Sequence, residues 1–196
     1  TAVDKAESEP AAAFAANAAA PARLAEACRA ADIPMVHVST DYVFDGTLDR
    51  PYHEDDPVAP PGVYGASKLA GELAVRAIQP RSVVLRTAWV VSRDRANFLK
   101  TMLRLAADRD VVRVVADQHG SPTAAADIAA ALQTITLKLI AERDAPTGVF
   151  HFVGAGETSW AGFAEAIFAA SRARGGPAAT VEPIPTTEYP TPARRP

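Results

Sequence analysis

Tyr64 and Lys68 stand four residues apart in the run Val63-Tyr-Gly-Ala-Ser-Lys68. On a helix that spacing is one turn, so both side chains share a face. The pair suits acid catalysis, because a phenol has an ordinary pKa of about 10 and an ammonium held beside it stabilises the phenolate. Upstream, Thr40 follows the apolar run Met35-Val-His-Val-Ser39, where its hydroxyl could help to orient a carbonyl oxygen. In a parallel α/β sheet, ligands sit beyond the carboxyl ends of strands, so Ser39-Thr-Asp-Tyr42 is where chemistry is expected. The chain has only four lysines. The spacing alone would also suit two surface neighbours on a helix, and Thr40 at the end of the preceding strand is what favours chemistry.

These residues need a scaffold of alternating strands and helices. Ser8 is read as the N-cap of a helical stretch running through Ala31, interrupted or kinked near Pro21, with Leu24, Ala27, Cys28 and Ala31 on its inner face. Cys28 is then buried packing, and His37, inside the first strand, a satisfied core residue. Thr40 to Pro61 reads as a long loop, of the length that usually carries function. Helices are predicted over 62–78, 96–109, 124–140 and 159–173, and strands over 82–85, 111–115, 149–153 and 181–184, before a Pro-rich end from Pro183. The alternation implies an α/β fold with a largely parallel sheet.

Composition narrows the function. The chain is 48% apolar and 22% charged with a net charge of -3, an ordinary globular balance. Its 20 basic residues are scattered among 23 acidic ones, so no cationic stripe exists for nucleic acid. No apolar run is long enough to span a membrane. Cys28 is the only cysteine, which excludes an internal disulfide and suits a reducing cytoplasm. The run His53-Glu-Asp-Asp56 offers metal-ligating groups, but adjacent loop residues rarely converge on one ion; it reads as a solvated acidic loop, and no metal site is expected. Gly154-Ala-Gly156 resembles a dinucleotide fingerprint, yet Ser159 replaces the third glycine, so that reading is rejected.

Six segments together resemble one family: Thr1-Ala-Val-Asp-Lys-Ala-Glu-Ser-Glu-Pro10, Val38-Ser-Thr-Asp-Tyr-Val-Phe-Asp-Gly46, Val63-Tyr-Gly-Ala-Ser-Lys-Leu-Ala-Gly-Glu72, Arg86-Thr-Ala-Trp89, Asp117-Gln-His-Gly-Ser-Pro-Thr123 and Gly154-Ala-Gly-Glu-Thr-Ser-Trp160. They are similar to the dTDP-4-dehydrorhamnose reductases of the extended short-chain dehydrogenase/reductase superfamily. The resemblance implies reduction of the C4 keto group of dTDP-4-dehydro-L-rhamnose by NADPH or NADH, with a dTDP-sugar as the partner. It implies Tyr64 as proton donor to the C4 oxygen, Lys68 as the residue that tunes it and contacts the nicotinamide ribose, and Thr40 as a hydrogen-bond partner of the reacting oxygen. It sets Thr1 against the cofactor and Val3, Asp41 and Trp89 against the substrate. Trp89 as a plain core aromatic and Asp41 as a turn-former stay open beside those roles. A homodimer and a family Mg2+ ion are compatible with the resemblance, and neither is legible in these residues.

Other members of the superfamily set the alternatives. The 4,6-dehydratases place an Asp-Glu pair after the threonine; here Tyr42 follows Asp41, which favours simple reduction. Epimerases, other sugar-nucleotide reductases and the non-catalytic regulatory subunit of methionine adenosyltransferase stay as rival readings. The fold implied is an incomplete Rossmann-type parallel sheet with a smaller C-terminal sugar-nucleotide-binding domain. Residues 1–86 belong to the Rossmann part and 87–196 mainly to the substrate part, with about 123–153 returning to the first. The Gly-rich phosphate turn and the last helices of the family are not found, so the chain is expected to bind NADPH weakly or not at all. NADPH and NADH are not distinguished. Val91 and Ser92–Ala96 depart from the family pattern, and the sugar contacts there are expected to differ.

Overall fold

The run Ser82–Thr87 is buried at every position, without alternation, which is the pattern of a parallel strand covered on both faces. In the computed structural model, which describes residues 2–196, this run is the central strand of the main sheet. From the N-terminus the elements are α1 (Val3–Ser8), α2 (Pro10–Phe14), a π-helical turn (Ala15–Ala19), α3 (Ala20–Ala30), β1 (Met35–Thr40), a 3-10 turn (Asp41–Val43), α4 (Val63–Ile78) and β2 (Ser82–Thr87). The chain continues through β3 (Val90–Val91), α5 (Phe98–Asp108), β4 (Val111–Val115), β5 (His119–Gly120), β6 (Thr123–Ala124) and α6 (Ala125–Ala141). It ends with β7 (Gly148–His151), β8 (Thr158–Ser159), α7 (Trp160–Arg172), β9 (Thr180–Ile184) and a second 3-10 turn (Thr186–Glu188). The architecture is mixed α/β of the Rossmann-like class.

Two compact units emerge. The first takes residues up to Thr87, Ile128–Phe152 and Thr191–Pro196. It holds the parallel sheet β1-β2-β7, in register from Met35 opposite Ser82 to Thr40 opposite Thr87. Its core is Ala25, Met35 and Val75 on one side, and Val83 with Leu139 and Ala145 on the other. The second unit takes Ala88–Asp127 and Val153–Pro190. There β4 pairs parallel with β9, and α5 and α7 close a core built on Met102, Val112, Val114, Ile167 and Phe168. Among the described residues no helix is long and apolar enough to cross a membrane.

Several expectations are corrected. The first helical stretch starts at Val3, not after Ser8: Ser8 ends α1, its hydroxyl donating to the Lys5 carbonyl, while Glu9 precedes α2 and Pro10 opens it. The stretch is interrupted near Pro21, as expected, and the interruption is a π turn at Ala15–Ala19, one turn ahead of the proline. Proline has no N–H for the carbonyl four residues back, that of Asn17, and its ring crowds that turn, which widens into a π turn. The inner face of α3 is Pro21, Ala25 and Cys28; Leu24, Ala27 and Ala31 are exposed. The π turn upstream rotates the face, and Cys28 is half-buried against the Ala25 cluster. His37 is buried but not satisfied, since its Nε2 has no hydrogen-bond partner. The last strand, expected over 181–184, runs Thr180–Ile184, and Pro183 within it is tolerated because an edge position needs no N–H.

Candidate functional site

β1 delivers Thr40 to its carboxyl end, where the chain leaves the sheet for the 3-10 turn. Thr40 Oγ1 caps that turn, accepting from the Tyr42 N–H at 3.2 Å, and donates to Asp41 Oδ1 at 3.0 Å. Burial of the Asp41 carboxyl pushes its pKa up to about 6. Burial likewise pushes the Tyr42 phenol up, against the pull of the neighbouring Arg195.

α4 starts after Gly62, a residue with no side chain to cap it. The cap comes from fifty-six residues upstream: Glu7 Oε1 accepts from the Val63 N–H at 2.8 Å. Gly65 lets the first turn of α4 lie directly on the 3-10 turn, because a Cβ there would stand 2.0 Å from the Tyr42 carbonyl oxygen. That close approach brings the rings of Tyr42 and Tyr64 edge to face, with centroids 5.4 Å apart.

On the same helix, buried Ser67 donates to the Tyr64 carbonyl at 2.8 Å and accepts from Asn17 Nδ2 at 3.0 Å. Lys68 Nζ donates to the Val38 carbonyl at 2.6 Å, which ties the ammonium to β1. Burial lowers the Lys68 pKa, and the Glu72 carboxylate one turn on partly restores it. Tyr64 and Lys68 line one pocket of about 290 Å3, together with Lys5, Glu9, Asn17 and a wall of small residues from Ala2 to Ala16.

Charged and aromatic groups behind the site hold the long loop. Glu72 and Arg86, 1% and 5% exposed, form a bidentate pair with contacts of 3.0 and 2.7 Å. The Arg86 guanidinium lies 5.0 Å from the centre of the Phe44 ring, which stacks on Tyr52 at 4.2 Å. Glu54 Oε1 accepts from the His151 N–H at 2.8 Å, and Asp56 takes both an Arg50 fork and the His53 N–H. Glu54 and Asp56 thus anchor the loop while Asp55 faces solvent, and among the described residues no group of three or more His, Cys, Asp or Glu side chains is placed to hold a metal ion.

Of the residues singled out in the sequence, Thr40, Asp41, Tyr64 and Lys68 gather in the first unit at the end of β1 and the start of α4. Val3 opens α1 half-buried, and it is Ala2, Lys5 and Ala6 around it that line the pocket. Thr1 lies outside the described residues. Trp89 lies in the second unit, half-buried, with its indole on that of Trp160. The departing segment before α5 is held by Asn97, whose Nδ2 donates to the carbonyls of Ser92 and Arg95 while its Oδ1 caps the helix at Lys100 N–H. Sequence reasoning missed Glu7, Asn17 and Ser67. Asn17 had a local signal, a carboxamide four residues before a proline in a helix; Glu7 had none, because only the fold brings it to α4.

Comparison with known proteins adds an independent finding. The family model described as RmlD substrate binding domain matches residues 1–196. A curated dTDP-4-dehydrorhamnose reductase of Sinorhizobium fredii is 50% identical over 197 residues, covering 100% of this chain and 67% of that protein. The crystal structure of a dTDP-4-dehydrorhamnose reductase from Clostridium acetobutylicum superposes with a TM-score of 0.91 at 40% identity, over 100% of this chain and 66% of that one. The enzyme of the same name from Bacillus anthracis, solved in complex with NADP, gives 0.92 at 36% identity, again over 100% and 66%. The chain therefore spans about two thirds of the length of these relatives.

Proposed function

The chain belongs to the dTDP-4-dehydrorhamnose reductase family, and from that premise we propose that it serves the NAD(P)H-dependent reduction of the C4 keto group of dTDP-4-dehydro-L-rhamnose to dTDP-L-rhamnose. The observation that carries the reading is the presence of Tyr64 and Lys68, one turn apart on α4, on the wall of one pocket. The lone, half-buried Cys28 suits the reducing cytoplasm in which we place the reaction.

The pocket bears on how the cofactor fits. Its alanine wall leaves room for a flat ring, and Lys68 and Asn17 bring an ammonium and a carboxamide to it. At about 290 Å3 it suits one end of a dinucleotide, and no glycine lines it to cradle a pyrophosphate. The residues present fit the nicotinamide and its ribose, which Lys68 and Tyr64 would hold. When bound, the dihydronicotinamide supplies the hydride to C4.

This chain's own residues handle the proton. Tyr64 Oη gives a proton to the C4 oxygen as negative charge develops there, and the positive charge of Lys68 favours the phenolate left behind. Thr40 has one proton, and in this structure it goes to Asp41 Oδ1. Its donation to the C4 oxygen requires Asp41 to release it, which protonation of the Asp41 carboxyl allows, since the carboxyl then donates to Thr40 Oγ1. In the second unit, Trp89 is the proposed apolar contact for the sugar nucleotide.

The test is reduction of dTDP-4-dehydro-L-rhamnose, followed by loss of NADPH absorbance, with the chain and with the chain joined to the part of the Sinorhizobium fredii reductase that it does not cover. Tyr64→Phe is expected to lower turnover at least about a hundredfold while dTDP-L-rhamnose binding persists. Unchanged turnover in that variant would remove Tyr64 from the reaction.

A further inference from the structure

Trp89 has a φ of +47°, in the left-handed region that bulky side chains rarely enter. Such a backbone persists only where its surroundings over-determine it. The surroundings here are specific. The Trp89 indole lies parallel to that of Trp160, with ring centroids 3.5 Å apart and an interplanar angle of 8°. Trp160 opens α7 and is itself wedged against Phe98 at 4.5 Å. A Cβ on Gly120 would stand 2.6 Å from the Trp89 ring, so β5 passes the indole with room for glycine alone. The Trp89 carbonyl accepts from the Thr123 N–H at 3.2 Å. Within the second unit α7 and β5 thus hold the indole, β6 holds its carbonyl and Phe98 backs Trp160, while Trp89 keeps part of its surface open.

A plain core aromatic needs no strained backbone, and a solvent-facing one needs no clamp. We propose that Trp160 is a positioning residue for substrate: it holds the Trp89 indole in one orientation, so that the sugar nucleotide meets a rigid two-ring platform instead of a mobile single ring. The proposal rests on the reading of Trp89 as a substrate contact given above. Its physical basis is pre-organisation, because an indole already ordered loses no rotamer freedom when ligand binds.

The chain has two tryptophans, Trp89 and Trp160, so a tryptophan exciton couplet in its circular dichroism can arise only from this stack. Any couplet that the unaltered chain shows is expected to be lost in Trp89→Phe and in Trp160→Phe. In calorimetric titration with dTDP-L-rhamnose, Trp160→Ala is expected to bind about tenfold more weakly, whereas Trp160→Phe, which still stacks, stays within about threefold. Gly120→Ala leaves both tryptophans and the α5–α7 core in place, and is expected to reduce the couplet and weaken binding; it carries the test where Trp160→Ala fails to fold. Unchanged affinity in folded Trp160→Ala, or in Gly120→Ala, overturns the proposal. Absence of dTDP-L-rhamnose binding by the unaltered chain overturns the reading of Trp89 as a substrate contact, and the positioning role with it, while the couplet then marks the stack as structural.

Discussion

His37 shows how a single buried side chain couples the site to pH. It lies within β1, 8% exposed, and burial lowers its pKa to about 4, with the positive charge of Lys68 acting in the same direction. The unfolded chain binds a proton near 6.5 and the folded chain does not until about 4, so stability is complete above 6.5 and falls as pH drops through this window. The loss attributable to His37 is at most about 3 kcal/mol. Asp41 acts with the opposite sign: its carboxyl, raised to about 6, takes up a proton in the folded chain first, so acidification below 6 favours the fold until the unfolded carboxyl near 3.8 follows. His37→Leu is therefore expected to flatten or invert the acid limb between pH 6.5 and 4, measured by urea midpoints across that range. An acid limb as steep as that of the unaltered chain would mean that another group carries it. The Tyr-xxx-Lys spacing was readable at this scale because it is local to one helix. The unpartnered Nε2 of His37 was not, since satisfaction depends on what other segments, α4 among them, place around it.

At the scale of elements, the position of Tyr64 depends on how α4 begins. Gly62 supplies no cap, and the Glu7 carboxylate takes the Val63 N–H instead. Glu7→Ala is expected to cost about 1 kcal/mol of stability, and Glu7→Gln, which keeps an accepting oxygen, only a fraction of it. Thermal denaturation of the two variants checks this, and equal losses would show that the charge and not the hydrogen bond matters. Most helices and strands were legible, with ends displaced by one or two residues: α4 fills the predicted range but for Gly62, and Asn97 and Ser159 cap α5 and α7 at the expected starts. The stretch before Ala31 was misread because the helical period assumed an unbroken α-helix, while Pro21 forces a π turn that rotates Leu24 outward. The two-residue strands β3, β5, β6 and β8 have no periodicity to detect at all.

At the scale of the molecule, the first unit is discontinuous. β2 takes β1 on one side and β7 on the other, and Val83 is buried by Leu139 and Ala145 from the later segment. Residues 1–87 alone would leave one edge of β2 unpaired and Val83 uncovered. They are expected to show no cooperative urea transition, and joining residues 128–152 through a short linker is expected to restore one; a cooperative transition in 1–87 alone would refute this dependence. The sequence by itself determined the α/β class, the helix bearing Tyr64 and Lys68, and the Thr40 end of β1, because each follows from local periodicity, capping and spacing within one segment. Only the tertiary structure decided that Asn17 and Glu9 share the pocket with Tyr64, that Glu7 caps α4, and that Trp160 stacks on a left-handed Trp89. Those contacts join positions dozens of residues apart, and their energy exists only once the chain has closed the loops between them.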